Sequence, residues 1–519
     1  MAQKRVILQG QSRDGAVIRL KDKAPGFGDP RKPKAMVWTG RKPAQRFRNG
    51  IRNLTFDTGK GNAGAIGVQY IANNQGSVRM VKIVGEGPIG LDLGYTNEQG
   101  PCLIQDVTVE GFDVGVSMVH AVDSITMERV TVRGQKKAGI SNKGQVVSIR
   151  GLRSVNTVAA VVNEGGSSVM TLLDSDLRVP PGGKSAAAAI ENTGTLFARN
   201  VQTGNYAMAV RNGAGTKENA AGPNVAEFVS HKVLTMGGAK PTSLNLPIKE
   251  TPVIPRDALA DWVSPTEFGA VPDGKTDCTE AVQKAVDSGR KTLYFPYGNW
   301  RIDGTVEIRG DIQRVTAMEG AISGSGTLKV VDGAAPAVTV ERINLLYKQL
   351  SIEHASKRPV VVSGITFGKG ELKYTGSGPL FIEDVCVHTI RMGERQAVYA
   401  RQLNCEAKEK TKIINNGGTL WILGIKTEQI GTICETTDGG RTELCGFIYS
   451  NVNIPDGQPM FLVKDSDFSA TIGESNFRGK PYPIVVEFVK AGKTSRLMRE
   501  DANRRGGASI LPLFVGRGK

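Results

Sequence analysis

The stretch Ile51-Arg-Asn-Leu54-Thr-Phe56 has the pattern apolar-x-x-apolar-x-apolar, which returns along the N-terminal part of the chain. The later copies are Val78-Arg-Met-Val81-Lys-Ile83, Ile104-Gln-Asp-Val107-Thr-Val109, Met127-Glu-Arg-Val130-Thr-Val132 and Ile149-Arg-Gly-Leu152, and successive copies start 27, 26, 23 and 22 residues apart. A repeat of this length predicts a strand and a turn in each copy, stacked as β-coils. Because one coil cannot bury its own apolar face, the array has to continue.

Composition favours the same fold class. The chain has 519 residues, of which 64 are glycine, and only 6% are aromatic, which suits many short strands and tight turns better than long helices. It contains no run of about 18 apolar residues, so we expect no membrane span. The first residues, Met1 to Arg5, do not resemble a signal peptide, so we expect either a cytoplasmic protein or one whose leader is absent from this sequence.

The rhythm of the repeats breaks between residues 222 and 260. This polar stretch contains Pro223, Pro241, Pro247, Pro252 and Pro255, a composition typical of a linker. We therefore predict an N-terminal parallel β-helix over residues 1–221, a linker over 222–260, and a C-terminal parallel β-helix over 261–519.

A short amphipathic helix is predicted directly after the linker. Asp277 followed three residues later by Glu280 resembles a capping box, and Ala281, Val282, Ala285 and Val286 lie on one helical face. Such a helix would close the open end of the second β-helix. The strand-like segments 292–296 and 300–302 would then begin its coils.

The segment Phe268-Gly-Ala-Val-Pro-Asp273-Gly-Lys-Thr-Asp277-Cys-Thr-Glu280-Ala-Val-Gln283 resembles the opening motif FGAxxDGxTDxTxAxQ of the pectate-lyase-like superfamily. That superfamily includes glycoside hydrolase family 55, and the resemblance implies a right-handed parallel β-helix. It does not select an activity, because lyases, hydrolases and phage tailspikes share the motif. The first β-helix begins at Val6-Ile-Leu-Gln-Gly10 without a second copy, so we expect a truncated or naturally short N-terminus.

Charge and metal-binding residue types exclude several classes. The formal charge of +16 raises the possibility of nucleic acid or an anionic polysaccharide as partner, although solvated surface explains it more simply. Interleaved aromatic residues, helix-turn-helix and zinc-finger patterns are missing, so we expect no nucleic-acid partner. The six cysteines and four histidines are dispersed, which predicts no metal site and no cofactor.

Glycines set the register of the C-terminal coils. Gly417 and Gly439 are 22 residues apart, as are Gly424 and Gly446. This spacing predicts two columns of stacked side chains: Tyr399, Trp421 and Glu443 in one, and Glu406, Glu428 and Ser450 in the other.

Glu406 and Glu428 would then be neighbouring carboxylates, since stacked coils lie about 4.8 Å apart. Mutual repulsion would raise the pKa of one carboxyl and keep it protonated, as a general acid requires. Alternatively, both glutamates are ordinary solvated residues. Trp421 would be an exposed platform for a sugar ring or, alternatively, a buried packing residue.

The segment Gly418-Thr-Leu-Trp421-Ile-Leu-Gly424-Ile-Lys-Thr-Glu428 looks like the G-x-x-W-[IL]-x-G-x-x-x-E segment of glycoside hydrolase family 55, the β-1,3-glucanases. The resemblance implies that Glu428 is the general acid of an inverting hydrolysis, with Glu406 positioning it and Trp421 supporting the sugar. Where that family has Ser-Glu-His, this chain has Thr427-Glu428-Gln429. Further candidate substrate-binding residues are Tyr399, Glu443 and Lys426, and candidates to hold the water are Asp123, Ser124 and Ser148.

We therefore predict a monomeric, secreted or periplasmic glycoside hydrolase with a polysaccharide substrate, most similar to the β-1,3-glucanases. A polysaccharide lyase is the main alternative, with Asp174-Ser-Asp176 and Asp465-Ser-Asp467 as possible calcium ligands, although turns explain both more simply. The Asp-Asp, His-Gly and Arg-x-Lys signatures of polygalacturonases are missing. A non-catalytic adhesin or tailspike-like module stays open.

Overall fold

The computed structural model describes residues 6–40, 46–97, 99–120, 124–408, 410–449 and 452–518. Over these residues the chain is an all-β solenoid of about 19 turns with one α-helix, Thr279–Val286. Three short 3-10 helices are Leu259–Asp261, Pro265–Phe268 and Arg499–Asp501. No helix in the described part of the chain has the length and apolar character needed to cross a membrane.

Two sheets wind through residues 7–229. Sheet 1 has twelve strands: Ile7–Gln9, Val17–Arg19, Gly50–Asp57, Ser77–Gly85, Cys102–Gly111, Ser124–Glu128, Thr131–Arg133, Val146–Arg150, Arg153–Val155, Val169–Arg178, Thr195–Gly204 and Asn224–Val229. Sheet 2 has eight: Lys34–Trp38, Ala65–Gln69, Ile89–Asp92, Val114–Val119, Ala138–Lys143, Val161–Glu164, Ser185–Asn192 and Tyr206–Asn212.

The predicted repeats stack in register. Ile51 pairs with Val78, and Ile104 lies between Val78 and Met127 in parallel pairing. Met127 pairs in turn with Ile149. The prediction that these copies are strands of successive coils is confirmed.

Three sheets wind through the rest of the chain. Sheet 3 comprises Leu234–Met236, Trp262–Val263, Asp273–Asp277, Thr292–Tyr294, Asn299–Arg301, Arg314–Thr316, Ala321–Ser323, Val338–Glu341, Asn344–Leu345, Val360–Ser363, Thr366–Phe367, Leu380–Val387, Ala397–Cys405, Thr419–Thr427, Arg441–Tyr449, Asp467–Ser475, Asn503–Arg505 and Ala508–Arg517. Sheet 4 comprises Thr305–Ile308, Thr327–Val330, Ser351–His354 and Leu372–Tyr374. Sheet 5 comprises Ile390–Met392, Ile413–Asn416, Cys434–Thr437, Pro459–Lys464, Ile484–Lys490 and Lys493–Met498.

Antiparallel strands close the ends of the coils. Asn224–Val229 runs antiparallel on Thr195–Gly204, and Ala508–Arg517 runs antiparallel on Asp467–Ser475. The segment predicted as a linker therefore contains the strands Asn224–Val229 and Leu234–Met236. Residues 237–258 form neither helix nor strand.

The predicted helix is present, and its apolar face is buried through Val282, Ala285 and Val286. Gln283 donates to the carbonyl of Glu307 and accepts from its N–H, so the helix lies on the edge strand of sheet 4. The predicted capping box does not form, because the N-cap residue is Cys278, whose own side chain makes no capping hydrogen bond. Asp277 nevertheless accepts a hydrogen bond of 3.0 Å from the N–H of Thr279 at the start of the helix. A capping box does form nearby, between Ser264 and Glu267 of the preceding 3-10 helix.

Two large apolar cores fill the coils, one within residues 51–225 and one within residues 263–514. A third cluster lies between them and joins Leu173 and Phe197 of sheet 1 to Phe381, Tyr399 and Trp421 of sheet 3. Sheets 1 and 3 therefore pack against each other through their outward faces. We call this contact the junction.

Candidate active site

Two adjoining cavities open along one end of the junction, and together we call them the cleft. Both are lined by Phe47, Asn73 and Asn74 from the N-terminal coils. Cavity 1 has a volume of about 310 Å³ and is also lined by Gly100, Pro101, Ser124, Lys426, Glu428, Phe447 and Tyr449. Cavity 2 has a volume of about 490 Å³ and is also lined by Arg48, Gln75, Leu346, Tyr347, Thr366, Phe367, Gly368, Lys369, Cys386, His388 and Glu406.

Glu406 and Glu428 occupy equivalent places on neighbouring coils. Each follows a strand of sheet 3, and the last residues of those strands, Cys405 and Thr427, pair with each other. The predicted stacking of the two carboxylates is therefore confirmed. On the next coil a bulge shifts the register by one residue, so that Thr427 pairs with Ile448. The residue next to Glu428 in the column is therefore Tyr449, whereas Ser450 was predicted. Ser450 itself lies outside the described residues.

The ammonium of Lys426 lies between the two carboxylates. Its Nζ donates to Oε1 of Glu406 at 2.9 Å and to Oε1 of Glu428. A third, longer contact of 3.3 Å reaches Oδ1 of Asn74 on the opposite wall. Only 6% of the Lys426 side chain is exposed, against 23% for Glu406 and 29% for Glu428. The lysine is therefore a buried bridge, whereas both carboxylates reach the cleft.

This cation reverses the predicted electrostatics of Glu406. Burial acts to raise the pKa of Glu406, but attraction to Lys426 and hydrogen bonds from Lys426 and Asn404 outweigh it, so the pKa lies below its ordinary value. Burial acts to lower the pKa of Lys426, yet the two carboxylates raise it above its ordinary value. The prediction that repulsion dominates is wrong for Glu406, because sequence spacing took no account of an ammonium between the carboxylates.

Asn404 ties the cluster to both walls. Its Nδ2 donates to Oε1 of Glu406 at 2.8 Å and to the backbone carbonyl of Asn74 at 3.2 Å. Asn74 adopts a left-handed backbone conformation with φ of 56°. These contacts fix the position of Glu406 relative to the N-terminal wall.

Glu428 has one oxygen committed and one available. Oε1 accepts from Lys426, whereas Oε2 has no hydrogen-bond partner among the described residues. Because Glu428 lines cavity 1, Oε2 can meet a ligand there. A carboxyl held through one oxygen and open at the other has the geometry for proton transfer to a bound group.

Trp421 does not line the cleft. Its side chain is 1% exposed and belongs to the apolar cluster of the junction, where the guanidinium of Arg401 lies 5.1 Å from its ring. Tyr399, in register with Trp421, is buried in the same cluster. The prediction of an exposed sugar platform is wrong, because sheet 1 covers this face of sheet 3.

Glu443 is also sealed. It pairs with Trp421 in the predicted column, but its carboxylate accepts from Arg199 of sheet 1 at 2.5 Å and from the backbone N–H of Leu246 at 2.8 Å. The side chain is 4% exposed. Glu443 is therefore part of a buried ion pair across the junction, and the prediction that it binds substrate is wrong.

The three candidates for holding a water separate in the structure. Ser124 lines cavity 1 opposite Glu428. Ser148 is buried in sheet 1, where it pairs with Thr126 on one neighbouring strand and Thr171 on the other. The prediction that Ser148 holds the water is therefore wrong. Asp123 lies outside the described residues.

Aromatic residues of the cleft were missed by the sequence analysis. Tyr449 stacks on Phe447 with ring centroids 6.1 Å apart, and the largely exposed Phe477 lies 5.8 Å beyond it. In cavity 2 the exposed Tyr347 takes a comparable place. The alternation Phe447-x-Tyr449 at the end of a strand was an available signal, but the bulge that brings Tyr449 beside Glu428 was not.

Within the described residues no group of three or more His, Cys, Asp or Glu side chains could hold a metal ion. The two Asp-Ser-Asp segments serve other contacts: Asp174 accepts from Arg150 at 2.9 Å and Asp467 from Arg517 at 2.9 Å. Asp174 and Asp465 have positive φ angles of 49° and 46°, as tight turns require. All six cysteines are buried and unpaired by disulfides.

Comparison with known proteins agrees with this architecture. The family model described as rhamnogalacturonase A/epimerase, pectate lyase-like, matches residues 262–365. A glucan 1,3-beta-glucosidase of Cochliobolus carbonum is 26% identical over 320 residues, covering 54% of this chain and 40% of the relative. An alginate lyase of Azotobacter vinelandii is 38% identical over 78 residues, covering 13% of this chain and 9% of the relative.

A mannuronan C5-epimerase, also of Azotobacter vinelandii, is 36% identical over 84 residues, covering 14% of this chain and 4% of the relative. The chain thus spans less than half the length of each of these relatives. Together with the solenoid, these matches show a pectate-lyase-like β-helix. The weak similarity to a glucan 1,3-beta-glucosidase fits a likeness to glycoside hydrolase family 55.

Proposed function

We propose that the protein is a glycoside hydrolase that cleaves a polysaccharide in the cleft, and that the polysaccharide is β-1,3-glucan. The proposal rests on the position of Glu428. Its Oε1 accepts a hydrogen bond from Lys426, and its Oε2 is available to a ligand in cavity 1. Similarity to a glucan 1,3-beta-glucosidase over 320 residues supports the choice of glucan. The proposal includes two tandem right-handed β-helices, over residues 1–221 and 261–519, and a secreted or periplasmic monomer.

In this mechanism Glu428 is the general acid. Its Oε2 carries a proton to the glycosidic oxygen as the bond to the anomeric carbon breaks, so that the leaving sugar departs as a neutral alcohol. The ring of Tyr449, at the edge of the same cavity, gives the sugar an apolar face to stack on. Phe47 lies on the facing wall and encloses the ring from the other side.

Glu406 and Lys426 act as positioning residues. Lys426 fills the space between the two carboxylates, so a water molecule cannot stand there as it does between the two carboxylates of an inverting glycosidase. The attacking water is therefore held from the N-terminal wall, where Asn74 and Ser124 line cavity 1. The water attacks the anomeric carbon from the side opposite Glu428 and releases its proton to the solvent in the open cleft. Its hydroxyl thus takes the place of the leaving sugar with inversion.

A polysaccharide lyase is the second candidate. It is favoured by the matches to an alginate lyase and a mannuronan epimerase, and by Arg48 and Lys369, two cations that line cavity 2. Cations at a uronate carboxylate would stabilise the charge that proton abstraction creates.

A panel of laminarin, pectate and alginate separates these candidates. Release of reducing ends from laminarin without ultraviolet absorbance from an unsaturated uronate is the expected result. Absorbance that grows on pectate or alginate would establish elimination and overturn the hydrolase. Neither signal on any substrate, with retained binding, would leave a non-catalytic carbohydrate-binding solenoid.

A further inference from the structure

A third cavity, of about 630 Å³, lies on the outer side of sheet 2 and shares no lining residue with the cleft. Its lining is Pro33, Lys34, Ala35, Trp38, Gln69, Tyr95 and Thr96. We call it the sheet 2 cavity. The proposed hydrolysis makes no use of it.

Trp38 and Gln69, which line this cavity, stand in one column with the buried Asp92. Trp38 pairs in register with Gln69, and Gln69 pairs with Asp92 on the next coil. Neighbouring coils are about 4.8 Å apart, which is close to the length of one pyranose ring. An aromatic ring and a planar amide therefore follow each other at the spacing of a sugar unit.

The polar members of this column are fixed and leave an acceptor available. Nε2 of Gln69 donates to Oδ2 of Asp92 at 3.0 Å, and the buried Asp92 also accepts from the N–H of Gly94 at 3.0 Å. The amide oxygen of Gln69 accepts no hydrogen bond from the described residues. It can accept one from a ligand hydroxyl.

Two aromatic residues flank the amide. Trp38 is 37% exposed, and Tyr95 is held by a hydrogen bond of 2.7 Å from its hydroxyl to the carbonyl of Gly40. Aromatic faces beside a planar amide match the two surfaces of a sugar, its apolar C–H face and its hydroxyl edge. Among the described residues of the lining only Lys34 is charged, and its ammonium lies 4.9 Å from the ring of Phe27. This described lining fits a neutral glycan better than an anionic one.

We propose that the sheet 2 cavity is a second polysaccharide-binding site that holds a neutral glycan on the outside of the solenoid. The choice of a neutral β-1,3-glucan as ligand rests on the proposed function. The site itself rests on the column of Trp38 and Gln69 and on Tyr95. Its effect would be to keep a polymeric substrate on the protein while its end occupies the cleft.

Affinity gel electrophoresis in laminarin tests this site. The protein carries Glu428→Gln, so that the polysaccharide is not consumed during the run. Adding Trp38→Ala is expected to raise the apparent Kd for laminarin about three- to tenfold, the loss of one aromatic stack. Trp38→Phe keeps an aromatic face and should retain more binding. Tyr297→Ala removes an aromatic that is 96% exposed elsewhere and should change nothing.

The proposal is overturned if Trp38→Ala, with an unchanged Tm, is retarded as strongly as its parent, or if Tyr297→Ala weakens binding equally. It is overturned too if the parent is not retarded by laminarin, and stronger retardation in pectate would overturn the neutral ligand. Hydrolysis by the unmutated protein is measured separately. Trp38-dependent retardation without hydrolysis would remove the proposed function and leave this site.

Discussion

Two clusters of carboxylate and cation lie on neighbouring strands of sheet 3 and differ in what faces them. Glu443 meets Arg199 from sheet 1 and the backbone of Leu246, and the pair is sealed from water. Glu406, Lys426 and Glu428 meet the same N-terminal half, but there the walls separate and leave the cleft. The opposite wall, rather than the residue type, thus determines whether a glutamate is structural or available for chemistry.

Replacing the open carboxyl should give the largest effect on turnover. Glu428→Gln keeps the shape of the side chain but removes the transferable proton, so we expect hydrolysis of laminarin to fall by about 10²- to 10⁴-fold. The measurement is release of reducing ends by the purified variant. Glu371→Gln, an exposed glutamate elsewhere in the C-terminal coils, should be fully active. A Glu428→Gln protein that turns over normally would exclude this residue as the acid.

Replacing the sealed carboxyl should affect stability instead. Glu443→Gln leaves the Arg199 guanidinium buried without its counter-charge, so we expect the free energy of unfolding to fall by about 3 kcal/mol. Glu428→Gln should change it by less than about 1 kcal/mol, because Lys426 keeps Glu406 as a partner. Denaturant unfolding of the two variants gives the comparison. Equal losses would mean that the two clusters do not differ as described.

A buried carboxylate of the junction, Glu128, should also make the stability of the protein depend on pH. Burial acts to raise the pKa of Glu128, but Arg401, Arg129 and Arg150 outweigh it and lower the pKa to about 2. Because this folded pKa is depressed, the stabilisation is present above the unfolded pKa and is lost as pH falls through the folded value. It amounts to about 3 kcal/mol.

We therefore expect the Tm to fall as pH is lowered from about 5 to about 3, with the loss continuing towards the folded pKa of Glu128. Glu128→Gln should be less stable near neutral pH but lose less Tm over that interval, since it has no proton to take up there. Thermal unfolding of both proteins at each pH provides the measurement. Parallel curves for the two proteins would assign the acid sensitivity to other carboxylates.

Replacing an aromatic residue of the cleft should have the smallest effect on hydrolysis. Tyr449→Ala removes the proposed stacking face in cavity 1, so we expect KM for laminarin to rise about three- to tenfold with kcat less affected. The exposed Tyr297→Ala is the matched control and should leave both constants unchanged. A loss confined to kcat would instead place Tyr449 with the groups that act on the transition state.

The column of glycines allowed the stacking of Glu406 on Glu428 to be predicted, because a coil of constant length brings the same position back on the next strand. It did not allow the environment of the column to be predicted. Trp421 and Glu443 have the same outward direction as the residues of the cleft, and only the packing of sheet 1 shows that they are covered. The bulge after Leu423 likewise could not be predicted. It shifts the register by one residue and places Tyr449, instead of Ser450, beside Glu428.

The spacing of the glycines also did not predict the position of the Lys426 ammonium. Lys426 precedes Glu428 by two residues in the chain. The sequence does not show that its ammonium lies between the carboxylates of Glu406 and Glu428 on neighbouring coils. The lowered pKa of Glu406 follows mainly from this contact with Lys426, together with the hydrogen bond from Asn404. Sequence patterns report distance along the chain well and charge in space poorly.

The sequence by itself determined the solenoid, the capping helix and the vertical pairing of two glutamates, since these depend on local periodicity and on repeats that bury one face of each coil. Only the tertiary structure decided which outward faces were covered. Coverage depends on how two distant stretches of chain pack, and the repeat of one coil carries no information about the coil that lies against it.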